Sequence, residues 1–133
     1  MLIKIDVSPG ELLDKLTILE IKEERIKDPA KVQNVVREKE ALERAAQAHI
    51  AQSSAIDNLR KDLKSVNERL WDVEDEIREC ERAQDFGEKF IELARSVYLT
   101  NDHRSDIKRK INDLLGSRFS EVKSYSEYRM TER

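Results

Sequence analysis

The stretch IDNLRKDLKSVNERLWDVEDEIREC, residues 56–80, decides the fold of this chain. Apolar side chains recur in it at alternating intervals of three and four residues, which is the spacing of a helix face that packs against a second helix. Charged residues fill the positions between them, so the stretch predicts a long helix with one apolar seam. The seam consists of Ile56, Leu59, Leu63, Val66, Leu70, Val73, Ile77 and Cys80.

A second seam with the same spacing follows a break at Asp85-Phe86-Gly87. It runs from Phe86 and Phe90 to Leu114, and Gly116 is placed to close the helix in a left-handed cap. Because the connection between the two seams is short, the two helices must fold back on each other. The sequence therefore predicts an antiparallel helical hairpin over about 55–83 and 86–115.

Shorter helices are predicted to precede the hairpin. Ser8, followed by Pro9 and Glu11, has the order of a helix N-cap, a first-turn proline and a capping-box glutamate. Asp28-Pro29 repeats the cap and the proline, and it starts a second helix that weakens near Gln52. Together with the hairpin, these signals predict an all-α fold, an elongated four-helix bundle.

The ends of the chain are predicted to be appendages of a single helical domain that spans 1–133 and has its helices within 9–115. Residues 1–7 alternate apolar and polar side chains, which is the pattern of a half-buried strand. One strand alone leaves backbone groups unpaired, so we expect this extended arm to pair with the C-terminal tail or with a second copy of the chain. The tail, 117–133, carries aromatic residues that we expect to dock on the helices.

Composition excludes several classes of function. The chain has 25 Lys and Arg against 28 Asp and Glu, and this net charge of −3 gives no general attraction for nucleic acid or an anionic membrane. Its 3 glycines cannot form a glycine-rich phosphate loop, and its 1 cysteine cannot form an internal disulfide. No apolar stretch reaches the length of a membrane span. We therefore expect a cytoplasmic protein with no nucleic-acid partner and no membrane insertion.

The third predicted helix carries the best candidate for a functional site. An aromatic ring, two carboxylates and a guanidinium occupy positions i, i+3, i+4 and i+7, so they share one face. The seam of the fourth helix is interrupted by polar side chains, and polar groups that face a core cost free energy unless they are paired. The hairpin brings these segments together. The candidate residues are Trp71, Glu74, Asp75, Arg78, Arg95, Tyr98, Asn101, Asp102 and Arg104.

Two interpretations of this polar network are open. Charges beside a heptad seam commonly pair between helices, and in its sharpest form this interpretation predicts a partly buried ion pair between Glu74 and Arg95. Alternatively, Arg78, Arg95 and Arg104 bind a phosphate or a carboxylate. Glu74 or Asp75 would then serve as a general base or a metal ligand.

The sequence predicts no resident cofactor or metal and assigns no catalytic residue. His49 and His103 lie far apart, and neither belongs to the Glu-x-x-His pattern of a di-iron bundle. The acidic face within 72–79 has the spacing of an ordinary solvated helix surface. The pair Glu20 and Glu23 has no Glu-x-x-Asp downstream, so the order of motifs found in all-helical pyrophosphohydrolases is missing.

Several segments resemble a family of small bacterial proteins of unknown function. They are 8–22, 70–78, 90–98 with Asn101-Asp102, and the closing 121–125. The resemblance covers nearly the whole chain and adds Asp14 and Lys15 to the candidate network. Members of the family are often encoded near glycosyltransferases of surface polysaccharide. The resemblance therefore implies that setting, but no established activity.

The sequence favours a non-enzymatic helical binding or assembly module. Long apolar seams on a short chain are usually buried by a partner, so we expect a homodimer. The setting implied by the resemblance adds a glycosyltransferase as a second protein partner. The alternative is a small enzyme or ligand binder for an anionic metabolite, such as a sugar phosphate or a nucleotide sugar, that uses the polar network as its pocket.

Overall fold

The computed structural model describes residues 1–128, and within that range the chain forms four α-helices and no strand. The all-α, four-helix prediction is confirmed. The predicted hairpin corresponds to the third and fourth helices. The helices are α1 (Pro9–Arg25), α2 (Pro29–His49), α3 (Ser54–Arg82) and α4 (Glu88–Leu114).

Side-chain caps begin the first three helices. The hydroxyl of Ser8 accepts the Glu11 N–H at 3.1 Å at the start of α1. At the start of α2, the Asp28 carboxylate accepts the Ala30 N–H at 3.0 Å. Ser53 caps α3 in the same way. Such caps satisfy backbone donors that a helix cannot pair internally, so the residues at each helix start determine where the helix begins.

α1 is the centre of the bundle, because it packs against α2, α3 and α4. Beyond α1, the only other packed pair of described helices is the hairpin of α3 and α4. The backbone of α2 therefore lies close to α1 alone, and Ala46 is its one buried residue. The main core is made of Leu12, Leu13, Leu16, Ala46, Ile56, Leu63, Val66, Ile107 and Ile111.

The α3 seam serves more than one neighbour. Its first half belongs to the main core, which includes residues of α1, α2 and α4. Its second half forms a separate cluster with α4 near the hairpin turn, where Val73 and Cys80 pack with Leu93. The heptad pattern of α3 thus packs against both α4, in the hairpin, and the central helix α1.

The arm and the tail differ from their predicted forms. Residues 1–8 form no strand, and the arm has no strand partner within the described part of the chain. The tail returns along α4 by ion pairs instead of aromatic packing, since Lys123 reaches Asp106 at 2.9 Å while Tyr125 stays exposed. Tyr128 is the exception among the tail aromatics described, because its ring meets Tyr98 edge to face. Residues 129–133 of the predicted tail lie outside the described residues.

Among residues 1–128, no helix combines the length and the apolar character needed to cross a membrane.

Candidate functional site

Asp14 of α1 is buried in the middle of the bundle and is held by Arg104 of α4. The Arg104 Nε donates to Asp14 Oδ1 at 2.8 Å, and its Nη2 donates to Oδ2 of the same carboxylate. The Asp14 side chain is 2% exposed, whereas that of Arg104 is 29% exposed. The hydrogen bonds from Arg104 to this carboxylate raise the pKa of the guanidinium. Two candidate residues from distant parts of the chain thus form one bidentate pair.

Asn67 of α3 completes this polar centre. Its Nδ2 donates to Asp14 Oδ1 and to Thr17 Oγ1, both at 2.9 Å. The Thr17 hydroxyl in turn donates to the Asp14 carbonyl oxygen at 2.8 Å. A buried carboxylate is tolerated when its oxygens are paired in this way. The centre therefore ties α1, α3 and α4 together.

An open cleft of about 480 Å³ lies beside this centre, between α1, α3 and α4. Its apolar lining comes from Ile18 and Ile21 of α1 and from Leu70 of α3. Six of the predicted site residues also line it, and they surround the apolar part with aromatic and charged groups. These six are Trp71, Glu74, Asp75, Arg78, Asn101 and Arg104.

Trp71 is fixed at the edge of the cleft by charged neighbours. The Arg25 guanidinium lies over its indole ring, 5.9 Å from the ring centroid. Arg25 is itself paired with Asp72, which holds the cation in place. A cation over the face of an indole is attracted by the ring quadrupole, so this contact orders the ring.

The predicted Glu74–Arg95 ion pair is wrong. Glu74 pairs with Arg78 one turn along α3, at 3.1 Å, and Arg95 is exposed. The reason is the helical phase of α4, whose packed residues here are Leu93 and Val97. A residue two positions from Leu93 is rotated by about 200° around the axis, so it points away from α3.

Other predicted site residues lie apart from the cleft. Lys15 is exposed and pairs with Glu11 at 3.6 Å. Tyr98 and Asp102 line a second cavity of about 1000 Å³ between α4 and the tail. Arg104 lines both cavities, as does Asn101. The structure thus groups six of the predicted residues at the cleft, buries Asp14 behind them, and leaves Lys15 and Arg95 at the surface.

Sequence reasoning missed a second buried charge cluster centred on Lys108 of α4. Its ammonium donates to Glu11 at 2.8 Å and to Glu121 of the tail at 3.3 Å. Burial lowers the pKa of Lys108, but the hydrogen bond and charge of Glu11 outweigh it, so the net pKa is raised. The hydrogen bond from Lys108 lowers the pKa of Glu11. A lysine beside the seam residue Ile107 is the only sequence signal, and it resembles many solvated lysines.

The described residues contain no candidate metal site. Among residues 1–128 no group of three or more His, Cys, Asp or Glu side chains could hold a metal ion.

Comparison with known proteins places the chain in a family. Residues 3–131 match a family described as "Family of unknown function (DUF6165)". The chain belongs to this family. The predicted resemblance of nearly the whole chain to a family of unknown function is thereby confirmed. No curated protein and no solved structure matches this DUF6165 member.

Proposed function

We propose that this DUF6165 protein is a non-enzymatic binding module that grips a segment of a partner protein in the cleft beside Trp71. The observation that carries the proposal is that the positive charges around the cleft are already paired. Its apolar lining is open, while the guanidinium groups around it, Arg78 and Arg104, are both engaged by carboxylates of the same chain.

The paired guanidiniums argue against the anionic-metabolite alternative. Arg104 is bound by the buried Asp14, so a phosphate at Arg104 would have to displace an internal carboxylate, and Arg78 is paired with Glu74 at the surface. Arg95, the third cation of that hypothesis, lies outside the cleft. Asp75 adds a further negative charge to the lining. The local field therefore favours a neutral or basic ligand over an anion.

The buried carboxylate also argues against catalysis. Asp14 is 2% exposed, is held by Arg104 and Asn67, and does not line the cleft, so a substrate bound in the cleft does not reach its carboxylate. A general base must reach the proton it abstracts within hydrogen-bond distance. Asp14 is instead a structural anion behind the cleft wall.

The partner segment is expected to present an apolar side chain next to a basic one. The apolar side chain would cover Ile18 and Leu70, which are partly exposed, on the floor of the cleft. The basic side chain would meet Asp75, which is exposed and makes no ion pair with another described residue. Tryptophan and arginine at the edge of an apolar depression are the residue types that dominate protein interfaces.

We further propose that the module works as a homodimer in the cytoplasm, with a glycosyltransferase of surface-polysaccharide synthesis as the partner class to test first. The dimer is supported by the exposed apolar arm. The partner class rests on the setting that the family resemblance implies.

A peptide-display selection tests the binding proposal. The full chain is the bait, and a chain carrying Asp75→Lys serves for counter-selection; Asp62→Lys, an exposed α3 position outside the cleft, is the matched control. We expect selected peptides to share an apolar residue beside Lys or Arg and to bind the control as well as the wild type. Trp71 is the single tryptophan of the chain, so its fluorescence reports binding at the cleft directly.

The same fluorescence assay can overturn the proposal. If inorganic phosphate, a sugar phosphate or a nucleoside diphosphate changes Trp71 emission with saturation, and no selected peptide does, the anionic-ligand alternative replaces it. Peptides that bind the wild type and Asp75→Lys equally would show that the cleft is not the contact.

A further inference from the structure

The N-terminal arm leaves its apolar side chains in water. Met1 and Leu2 are fully exposed, Ile3 is 78% exposed and Ile5 is 74% exposed. Apolar area of this size costs free energy in water, at about 25 cal/mol per Å². Residues 1–8 also lie outside any described strand or helix, and backbone that is unpaired in this way can pair with another chain.

We propose that the arms of two copies of this chain pair as antiparallel strands, with Ile5 of one copy opposite Ile5 of the other. In that register Lys4 faces Asp6 of the second copy, and by symmetry Asp6 faces its Lys4. Ile3 then faces Val7 of the second copy. Every apolar residue of the alternating pattern meets another apolar residue, and each charge meets its opposite, which is the arrangement that stabilises cross-strand pairs.

Neighbouring symmetric registers are unfavourable. A shift toward the N-terminus places Lys4 opposite Lys4 of the second copy, and a shift toward the helix places Asp6 opposite Asp6. Like charges directly opposite each other destabilise a strand pair. Intermediate registers set Ile5 against a charged residue and mix apolar and polar groups on each face. Charge complementarity of the sequence with itself therefore selects both the occupant and the register.

The paired arms have an apolar surface to cover. An isolated two-stranded ribbon is only marginally stable in water, so its apolar face needs a neighbour. The Gly10 N–H donates to Asn112 at 2.8 Å, which fixes the root of the arm beside the end of α4. Leu114 and Phe119 follow Asn112 in the chain, and the side chain of each is about half exposed. The ribbon formed by Ile3, Ile5 and Val7 would bury them.

This inference rests on the proposed dimer and names its contact surface. The binding function of the cleft is independent of it, because no arm residue lines the cleft. Failure of the arm pairing therefore leaves the cleft proposal standing, and failure of peptide binding leaves the arm pairing standing.

Charge reversal with rescue is the first test. Lys4→Asp sets like charges opposite each other twice per dimer, and Asp6→Lys does the same, so each should raise the dimer dissociation constant about tenfold, equivalent to about 1.4 kcal/mol. The double variant Lys4→Asp with Asp6→Lys restores both unlike pairs and should return the constant toward that of the wild type. Analytical ultracentrifugation measures the constants, and circular dichroism of each variant confirms that the helices are intact.

A cysteine series is the second test and fixes the register. Ile5→Cys places two thiols opposite each other, where strand spacing suits a disulfide, so it should cross-link rapidly under mild oxidation. Ile3→Cys is the matched control. Its two copies would lie four residues apart, about 13 Å, so it should not cross-link with itself but should cross-link with Val7→Cys in a mixture. The native Cys80 is buried, which keeps it out of the reaction.

The outcomes are distinguishable. A wild-type chain that stays monomeric at high micromolar concentration overturns the arm pairing and the dimer together. If neither charge reversal changes the dimer dissociation constant, the arm pairing alone is overturned. The same holds if Ile3→Cys cross-links as readily as Ile5→Cys.

Discussion

Arg104 holds the carboxylate of Asp14 through two hydrogen bonds, although the residues are 90 positions apart in the chain. The two ends of this pair have different access to water. Asp14 is almost completely enclosed, whereas Arg104 reaches the surface through the cavities it lines. Loss of one partner should therefore have unequal consequences.

Arg104→Ala should destabilise the protein by about 3 to 5 kcal/mol, because it leaves an unpaired carboxylate in the core. Asp14→Ala should cost less, since the freed guanidinium can turn toward water. Urea denaturation of both variants at neutral pH measures the difference. Arg78→Ala is the control: its pair with Glu74 is exposed and should be worth less than about 1 kcal/mol. Equal, small losses in all three variants would show that Asp14 and Arg104 are not a buried pair.

Gly10→Ala should destabilise the bundle by about 1 to 3 kcal/mol, because the added methyl group overpacks the contact between α1 and α4. A Cβ at this position would lie 2.6 Å from the Lys108 carbonyl oxygen and 2.8 Å from Asn112 Oδ1. Gly87→Ala is the control, since its nearest contact would be a side-chain oxygen at 3.3 Å. Thermal unfolding ranks the two variants. A stabilising Gly10→Ala would mean that α1 and α4 do not approach this closely.

Stability should fall in acid, and Glu11 should account for part of the loss. The hydrogen bond from Lys108 lowers the pKa of Glu11 below its usual 4.5 in the folded protein. As the pH falls past 4.5, the unfolded chain takes up this proton first, so folding is disfavoured until the folded carboxyl is protonated too. Glu43, beside Arg60, and Asp106, beside Lys123, act in the same direction because their pKa values are also lowered.

Glu11→Gln tests this assignment. At pH 7 it should lower the free energy of unfolding by about 1 kcal/mol or less, since Glu11 is a third exposed and water screens the pair. Its difference from the wild type should shrink as the pH falls below 4.5. The measurement is the urea midpoint from pH 3 to 7. A constant difference across this range would remove Glu11 from the pH response.

α2 should be the first helix to open. Its backbone lies close to α1 alone among the described helices, and it buries one residue fully, Ala46, with Leu42 and Ala45 partly covered, so fewer apolar contacts resist its release than in the other helices. Arg60 of α3 reaches across to it and bonds Glu43 at 3.0 Å while also bonding Glu20 of α1. When the middle turns of the four helices are compared, native-state hydrogen exchange should therefore be fastest in α2, and Arg60→Ala should increase it there more than in α3. Uniform exchange across all four helices would contradict this view.

The helices could be predicted from the sequence, but only part of their packing could. The seam of α3 and the caps at Ser8, Asp28 and Ser53 are local signals, so they set the helix boundaries without knowledge of the fold. The spacing that grouped Trp71 with Arg78 on one face also held, because both line the cleft. Patterns within one helix survive folding since the helix itself fixes them.

Pairings between helices were less predictable. Asn67 meets Asp14 across 53 positions of sequence, and nothing near either residue encodes that distance. The hairpin turn predicts how far along α4 Arg95 lies. The direction in which its side chain points around the α4 axis is a separate quantity, and it leaves Arg95 exposed to water. The arm shows the same limit, since its alternating pattern predicted a strand and residues 1–8 form none.

The central position of α1 has a consequence for synthesis of the protein. α1 leaves the ribosome before α4, with Leu13 and Leu16 uncovered, yet part of the core that encloses them comes from Ile107 and Ile111 of α4. The enclosing contacts can close only after α4 has been synthesised, and the nascent helix exposes an aggregation-prone apolar face until then. A truncated product that lacks α4 should accordingly be a preferred client of chaperones and proteases, because its central helix has no finished site to occupy.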